Sequence, residues 1–251
     1  MKAEIIPFPS NTRSQAVRVS RDAQPAAIIA ALGISQPRAV VCLNGGTAKL
    51  DEDLSTRLES ILVDGLARVA SEESLTLITG ATDAGIFSML GRGVEKWGLN
   101  APLIGVAPDK LVTWPGKEAG DVPLEPHHTH FVLVEGDDWG DETDEMYALI
   151  SDLSHDCPFV AVFAGGGQIT VREMQTNVAQ QRTMILIAGS GRNTDAVLEA
   201  RRTGGSSDES IAQIAAEGRI VPFDIHSDAQ ALGRLIQELL FSPGRRTGTA
   251  R

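Results

Sequence analysis

The chain alternates short apolar runs with longer segments in which apolar residues recur every three to four positions. Continuous apolar runs are typical of strands buried on both faces of a parallel sheet, and here they are residues 38–43, 75–79, 102–107, 131–134, 159–164, 183–188 and 219–222. Segments with helical spacing lie between them; in 51–70, for example, Leu54, Leu58 and Ile61 share a face. This alternation predicts an α/β fold, a doubly wound, mainly parallel sheet with helices on both faces.

No repeat, linker or second core interrupts the pattern. We therefore predict a single domain over residues 1–241, and the composition of 242–251 predicts a disordered tail. Residues 109–130 are the least regular part and contain Pro115, Pro123 and Pro126. A connection of that length in a compact domain is more often functional than idle.

Four of the predicted strands end in turns that contain glycine. A turn without Cβ atoms can take a positive φ and let a ligand approach its N–H groups, and the amino end of the next helix adds further N–H donors. The carboxyl ends of parallel strands lie along one edge of the sheet. We therefore predict a shared site for a ligand with phosphates, formed by Asn44, Gly45, Gly46 and Thr47, by Gly80, Ala81, Thr82, Asp83 and Gly85, by Gly165, Gly166, Gly167, Gln168 and Thr170, and by Gly189, Ser190, Gly191 and Arg192.

Simpler interpretations of these turns remain open. Each turn by itself is also compatible with a tight strand-to-helix connection that binds nothing, Asp83 with an Asx turn, and Arg192 with a solvent-exposed helix start. Neither GxGxxG nor GxxxxGK[ST] occurs, so the sequence supports neither a standard dinucleotide site nor an ATPase. No motif requires a cofactor.

Charge and cysteine usage limit the partners and the compartment. The net charge is −11 for 251 residues, which argues against nucleic acid or an anionic membrane surface as a partner. Cys42 and Cys157 are isolated and are expected to be reduced thiols, which favours the cytoplasm. The first residues lack the apolar core of a signal peptide, and no apolar run approaches a membrane span.

Histidines and acidic residues near the middle of the chain raise the question of a metal. His128 and His130 would share a face of a strand, but a third ligand and an open position are needed for zinc. We expect His127, His128 and His130 to end the irregular connection, with His130 as a candidate ligand contact. The acidic run 135–145 lacks EF-hand spacing, and its carboxylates suit the first turn of a solvated helix. No metal site is predicted.

Six segments in order, at 17–32, 40–46, 77–86, 103–108, 126–137 and 185–192, resemble the N-terminal homology region of melastatin-type TRP channels. The chain is similar to a free-standing prokaryotic relative of the group called LSDAT or SLOG. The resemblance implies a Rossmann-like fold, a nucleotide-derived ligand such as ADP-ribose or a cyclic ADP-ribose derivative, and a homo-oligomer, dimeric or higher.

The same superfamily includes phosphoribohydrolases of the "lonely guy" type, whose motif PGGxGTxxE resembles GGGQITVRE at 165–173. The resemblance implies that Glu173 acts on the ribose if the chain is a hydrolase. The preceding helix, at 141–153, carries no arginine or lysine, although these hydrolases use an arginine there. The sequence therefore favours a sensor that binds without turnover, with a phosphoribohydrolase and an assembly module with a vestigial pocket as alternatives.

Overall fold

The computed structural model describes residues 1–9, 12–46 and 51–242. Thr47 and residues 243–251 lie outside the described residues, so the predictions for that site residue and for the tail are not tested by it. The strands are β1 (Glu4–Pro7), β2 (Arg13–Val19), β3 (Val40–Gly45), β4 (Thr76–Thr79), β5 (Leu103–Pro108), β6 (Val112–Thr113), β7 (Val122–Pro123), β8 (His130–Val134), β9 (Phe159–Ala164), β10 (Thr183–Ala188) and β11 (Arg219–Asp224).

Helices connect most of these strands. They are α1 (Pro25–Leu32), α2 (Glu52–Ser60), α3 (Arg68–Glu73), α4 (Gly85–Trp97), α5 (Thr143–Leu153), α6 (Gln168–Ala179), α7 (Arg192–Thr203), α8 (Glu209–Glu217) and α9 (Ala229–Phe241). A π-helical segment, Ile61–Ala67, joins α2 to α3. The apolar spacing predicts one regular helix over 51–70, and this wide turn is the part that the spacing misses.

The main sheet has nine strands in the order β1-β2-β8-β5-β4-β3-β9-β10-β11. All neighbours are parallel except β1, which pairs antiparallel with β2 at one edge. The predicted doubly wound, mainly parallel α/β sheet is therefore confirmed. From β3 the chain proceeds through β4 and β5 to one side, and from β9 it proceeds to the other, so the order reverses between β3 and β9.

Both faces of the central strands are covered, which explains the continuous apolar runs. Alternate residues of β3 point to opposite faces: Val41 and Leu43 pack with α2, α3, α4 and α9, whereas Val40 and Cys42 pack with α1 and α5. All four are at most 1% exposed. Helices α6, α7 and α8 cover β9 and β10 in a third cluster around Phe163.

The irregular connection before β8 is held in place by its own contacts. The Lys117 ammonium donates to the carbonyls of Asp109, Val112 and Ala119 at 2.6–2.8 Å. Further along, Leu124 forms a β-bridge with Thr82, in the turn after β4. The connection therefore reaches the edge of the sheet at which the strands end.

Within the described ranges, none of the helices has both the length and the apolar character needed to cross a membrane.

Candidate ligand-binding cleft

A cleft of about 350 Å³ opens at the carboxyl ends of the central strands, where the strand order reverses. This is the position at which doubly wound sheets bind ligands, and the volume lies within the range of small-molecule sites. The cleft is lined by Gly45, Gly46, Gly80, Thr82, Ala84, Phe87, Val122, Trp139, Glu142, Gly167, Gln168, Ile169, Thr170, Glu173 and Arg192. Three of the four predicted turns thus contribute backbone to one site, and the fourth contributes the Arg192 side chain.

The amino end of α6 points into this cleft. Gly167 precedes the helix in an extended conformation, and no side chain caps the first turn within the described part of the chain. Gly166 has φ +88°, and a Cβ there would overlap the Thr170 side chain, so glycine is required. The Arg192 guanidinium approaches Gly167 from α7; its Nη2 would be 3.7 Å from a Cβ at that glycine. Uncapped N–H groups, the helix dipole and a guanidinium together have the chemistry that would suit an anion.

The turn after β3 lies against the carboxyl end of β9. The Gly46 N–H donates to the Ala164 carbonyl at 3.0 Å. Gly45 has φ +148°, and a Cβ there would overlap the Ala164 oxygen. Asn44 is buried, and its Oδ1 accepts from the Cys42 thiol at 3.2 Å, while its Nδ2 has no hydrogen-bond partner among the described residues. This turn is therefore shaped by close backbone contact, and the Gly46 N–H, which we expected to be open to a ligand, is occupied by the protein.

The turn after β4 lines the cleft with different chemistry from that predicted. Four of its N–H groups are occupied within the protein: Ala81 donates to Thr79 Oγ1, Thr82 to the Gly80 carbonyl, Asp83 to the Pro123 carbonyl and Ala84 to the Thr82 carbonyl, at 2.8–3.1 Å. Gly80, Thr82 and Ala84 line the cleft, but Ala81 is fully buried and Asp83 is exposed outside it. Gly85, with φ +51°, begins α4. The turn supplies shape rather than free amides.

The turn after β10 is also occupied. The Asp195 carboxylate accepts from the Gly189 and Gly191 N–H groups at 2.8 Å each, and Ser190 Oγ accepts from the Gly165 N–H at 2.9 Å. The expectation that these amides are open to a ligand is therefore wrong. The turn instead fixes the glycine loop of β9 and leaves only the Arg192 side chain facing the cleft.

His130 lies at the opposite edge of the sheet. It is the first residue of β8 and pairs with Ile104 near the start of β5, and its Nδ1 is 2.7 Å from Thr129 Oγ1. Burial lowers the pKa of His130. The structure therefore does not bring this predicted contact into the cleft.

Two carboxyl groups line the same cleft as Arg192 and the start of α6. Glu173 is 7% exposed, and burial, reinforced by the charge of Glu142, raises its pKa to about 8. Burial likewise raises the pKa of Glu142 to about 6, although its Oε2 accepts the Gly140 N–H at 2.8 Å. The positive charge of Arg172 acts against both shifts. The two shifts differ in size, so Glu173 holds its proton to higher pH than Glu142 does.

Several lining residues are absent from the sequence-based prediction. Trp139 is 37% exposed and forms an apolar wall with Phe87, Val122 and Ile169. Glu142 and Trp139 both fall in the acidic run that we interpret as a solvated helix start. A buried carboxylate in such a run cannot be recognised from the sequence. An isolated tryptophan among acidic residues can be recognised, and it is the signal that could have identified Trp139.

The histidines before β8 contact protein groups. His127 and His128 both reach the Glu125 carboxylate, at 2.6 and 2.8 Å. Across the described ranges, no cluster of three or more His, Cys, Asp or Glu side chains could hold a metal ion.

Comparison with known proteins agrees with this fold. The chain is 28% identical over 227 residues to a transient receptor potential channel of Caenorhabditis elegans, covering 74% of this chain and 11% of that protein. It is 25% identical over 228 residues to transient receptor potential cation channel subfamily M member 2 of Mus musculus, covering 73% of this chain and 15% of that protein. It therefore spans only a small part of these curated relatives.

A solved structure shows the same fold. The X-ray structure of TM1055 superposes with a TM-score of 0.52 at 20% identity, covering 79% of this chain and 99% of that one, and the fold is Rossmann-like. A family model described as SLOG in TRPM, prokaryote, matches residues 38–232, which is most of the chain. The protein belongs to this prokaryotic SLOG family.

Proposed function

We propose that the cleft binds a nucleotide-derived ligand, such as ADP-ribose, a cyclic ADP-ribose derivative or a related nucleotide, and that the protein acts as a sensor of it. The observation that carries the proposal is the uncapped amino end of α6, which opens into the cleft beside Arg192. N–H groups in this arrangement suit phosphate. Membership of the SLOG family supports the same ligand class.

The other walls of the cleft suit the rest of such a ligand. The Glu142 carboxylate can accept hydrogen bonds from ribose hydroxyl groups, and the protonated Glu173 can donate one. Trp139 offers a flat, partly exposed ring for a nucleobase, with Phe87 and Ile169 completing an apolar wall. The net charge of −11 opposes anion binding in general, so the N–H groups and Arg192 must act locally.

Thermal unfolding in the presence of ADP-ribose, AMP and ribose 5-phosphate tests the proposal. A probe at a hundred times its Kd stabilises by about 2.7 kcal/mol, which for a domain of this size raises Tm by roughly 5–10 °C. Replacing Arg192 with alanine removes a charge-assisted contact worth about 1.5–3 kcal/mol and weakens binding accordingly. Arg234→Ala, at an exposed position of α9 away from the cleft, is the matched control and leaves binding unchanged. A protein that none of the probes stabilises contradicts the proposal.

Hydrolysis of a nucleoside monophosphate is the second candidate. The raised pKa of Glu173 favours it, because a carboxyl group that keeps its proton can act as a general acid. In this reaction water adds to the anomeric carbon of the ribose, the bond to the base breaks, and the base leaves with a proton supplied by Glu173. Ionised Glu142 would accept a proton from the attacking water. Chromatographic detection of free adenine from AMP distinguishes the two functions, and Glu173→Ala must abolish any release.

A further inference from the structure

Glu125 is a buried carboxylate with an unusual number of donors. It lies in the connection before β8 and is 2% exposed. Its Oε1 is 2.6 Å from His127 Nδ1, and its Oε2 accepts the His127 N–H at 3.0 Å and lies 2.8 Å from His128 Nδ1. Burial alone raises the pKa of Glu125, but the hydrogen bonds from His128 and His127 outweigh it, so the pKa is lowered. The group is therefore an anion held inside the protein.

His128 connects Glu125 to Thr79, the last residue of β4. The imidazole is fully buried, and its Nε2 is 2.7 Å from Thr79 Oγ1. The same hydroxyl oxygen accepts the Ala81 N–H at 3.1 Å. If the imidazole is neutral, the Thr79 hydroxyl group therefore donates a hydrogen bond to His128 Nε2. The imidazole proton is then on Nδ1, which donates to Glu125. Carboxylate, imidazole, hydroxyl and amide form one directed chain.

This chain of hydrogen bonds ends on a strained residue of the turn after β4. Ala81 has φ +66°, a conformation that alanine takes only where its surroundings enforce it. Gly105 makes room beneath it, since a Cβ there would lie 2.6 Å from the Ala81 Cβ and 3.0 Å from His128 Cδ2. Glycine at 91 makes room for the carboxyl group of Glu125 in the same way.

We propose that Glu125, His128 and Thr79 form a positioning array that holds the turn after β4 in the shape that lines the cleft. Gly80 and Thr82, on either side of Ala81, line the cleft, whereas none of the three array residues does. The array therefore acts on the ligand through the turn. Its effect on binding rests on the proposed ligand site, but its effect on the turn does not.

Thr79→Val tests the array, because it keeps the shape and removes the hydroxyl group. We expect ADP-ribose to bind at least tenfold more weakly to Thr79→Val than to wild type, measured by calorimetric titration, while Thr79→Ser binds within about threefold of wild type. Thr76→Val makes the same change at the other end of β4 and serves as the matched control. Urea unfolding confirms that each variant is folded.

Two measurements on the ligand-free protein separate this proposal from the ligand assignment. Exchange of the Ala81 amide hydrogen becomes at least tenfold faster in Thr79→Val and stays near wild type in Thr79→Ser. In wild type, we expect NMR to show a downfield His128 Nδ1 proton, and we expect this signal to disappear in Glu125→Gln.

The outcomes then divide as follows. Unchanged Ala81 exchange in Thr79→Val overturns the array, whether or not any ligand binds. Unchanged ADP-ribose affinity in a folded Thr79→Val also overturns it. If wild type binds no probe, the proposed function fails, and the exchange data alone decide whether the array holds the turn.

Discussion

Replacing Glu173 with glutamine should change how the stability of the protein depends on pH. Burial raises the pKa of Glu173 from 4.5 to about 8, so the folded state holds this proton more tightly than the unfolded state. Between pH 4.5 and 8 the unfolded chain releases the proton while the folded protein keeps it. Stability is therefore fully present below pH 4.5 and falls as the pH rises toward 8.

The expected size follows from the two pKa values. Each pKa unit corresponds to about 1.4 kcal/mol, so the ionised form costs at most about 5 kcal/mol of folding free energy above pH 8. Solvent screening reduces this little, because Glu173 is only 7% exposed. Glutamine does not ionise, so Glu173→Gln should match wild type at pH 4.5 and exceed it by at least about 2 kcal/mol at pH 8.5.

Urea unfolding of both proteins at intervals from pH 4.5 to 8.5 measures the difference. Glu238→Gln replaces an exposed glutamate on α9 and should follow wild type throughout. Glu142→Gln removes a neighbouring charge that raises the pKa of Glu173, so the pKa of Glu173 falls, and the loss of stability should be smaller and end at lower pH. Curves for wild type and Glu173→Gln that run parallel would refute the assignment of Glu173 as a buried, proton-bearing acid.

Three further changes test the walls of the cleft. Gly45→Ala places a Cβ against the Ala164 carbonyl oxygen and should destabilise by more than about 2 kcal/mol in thermal unfolding, whereas Gly205→Ala, in open space, should not. Asp195→Ala leaves two glycine N–H groups without their acceptor and should lower the free energy of unfolding by about 1–3 kcal/mol. Trp139→Ala should weaken AMP binding by about 1–3 kcal/mol in calorimetric titrations and leave ribose 5-phosphate binding unchanged.

The arrangement of the sheet could be predicted because burial on both faces leaves a plain trace in the sequence. Continuous apolar strands such as 159–164 exclude an exposed sheet face, and parallel strands then bring their carboxyl ends to one edge. The requirement for glycine at 45 and 166 follows from the same reasoning, since both stand where a strand must turn without a side chain.

The availability of each amide could not be predicted. Gly189 and Gly191 have the spacing of an anion-binding turn, but the Asp195 carboxylate, four residues after Gly191, takes both N–H groups. Only the folded structure shows whether an acceptor from the protein already occupies an N–H group. His130 is a different case: as the first residue of an apolar strand, it belongs at the amino edge of the sheet, away from the cleft.

Glu142 and Glu125 escape sequence reasoning for a physical reason. Acidic residues near a helix start or in a loop are usually solvated, and the spacing does not reveal that Glu142 is 9% exposed and Glu125 only 2%. Glu142 lines the cleft, whereas Glu125 does not. The Glu125 carboxyl group lies against Gly91 of α4 and contacts His127 and His128, and these neighbours come together only in the folded chain.

Assigned backbone NMR during titration with ADP-ribose tests the central claim most directly. We expect the largest chemical-shift changes at the amides of Gly167, Gln168 and Ile169, at the start of α6, with little change at Gly189 and Gly191. These changes should saturate with a single Kd. Saturable changes centred elsewhere, or unperturbed α6 amides in a protein that binds the ligand, would contradict the assignment of the helix start as the phosphate site.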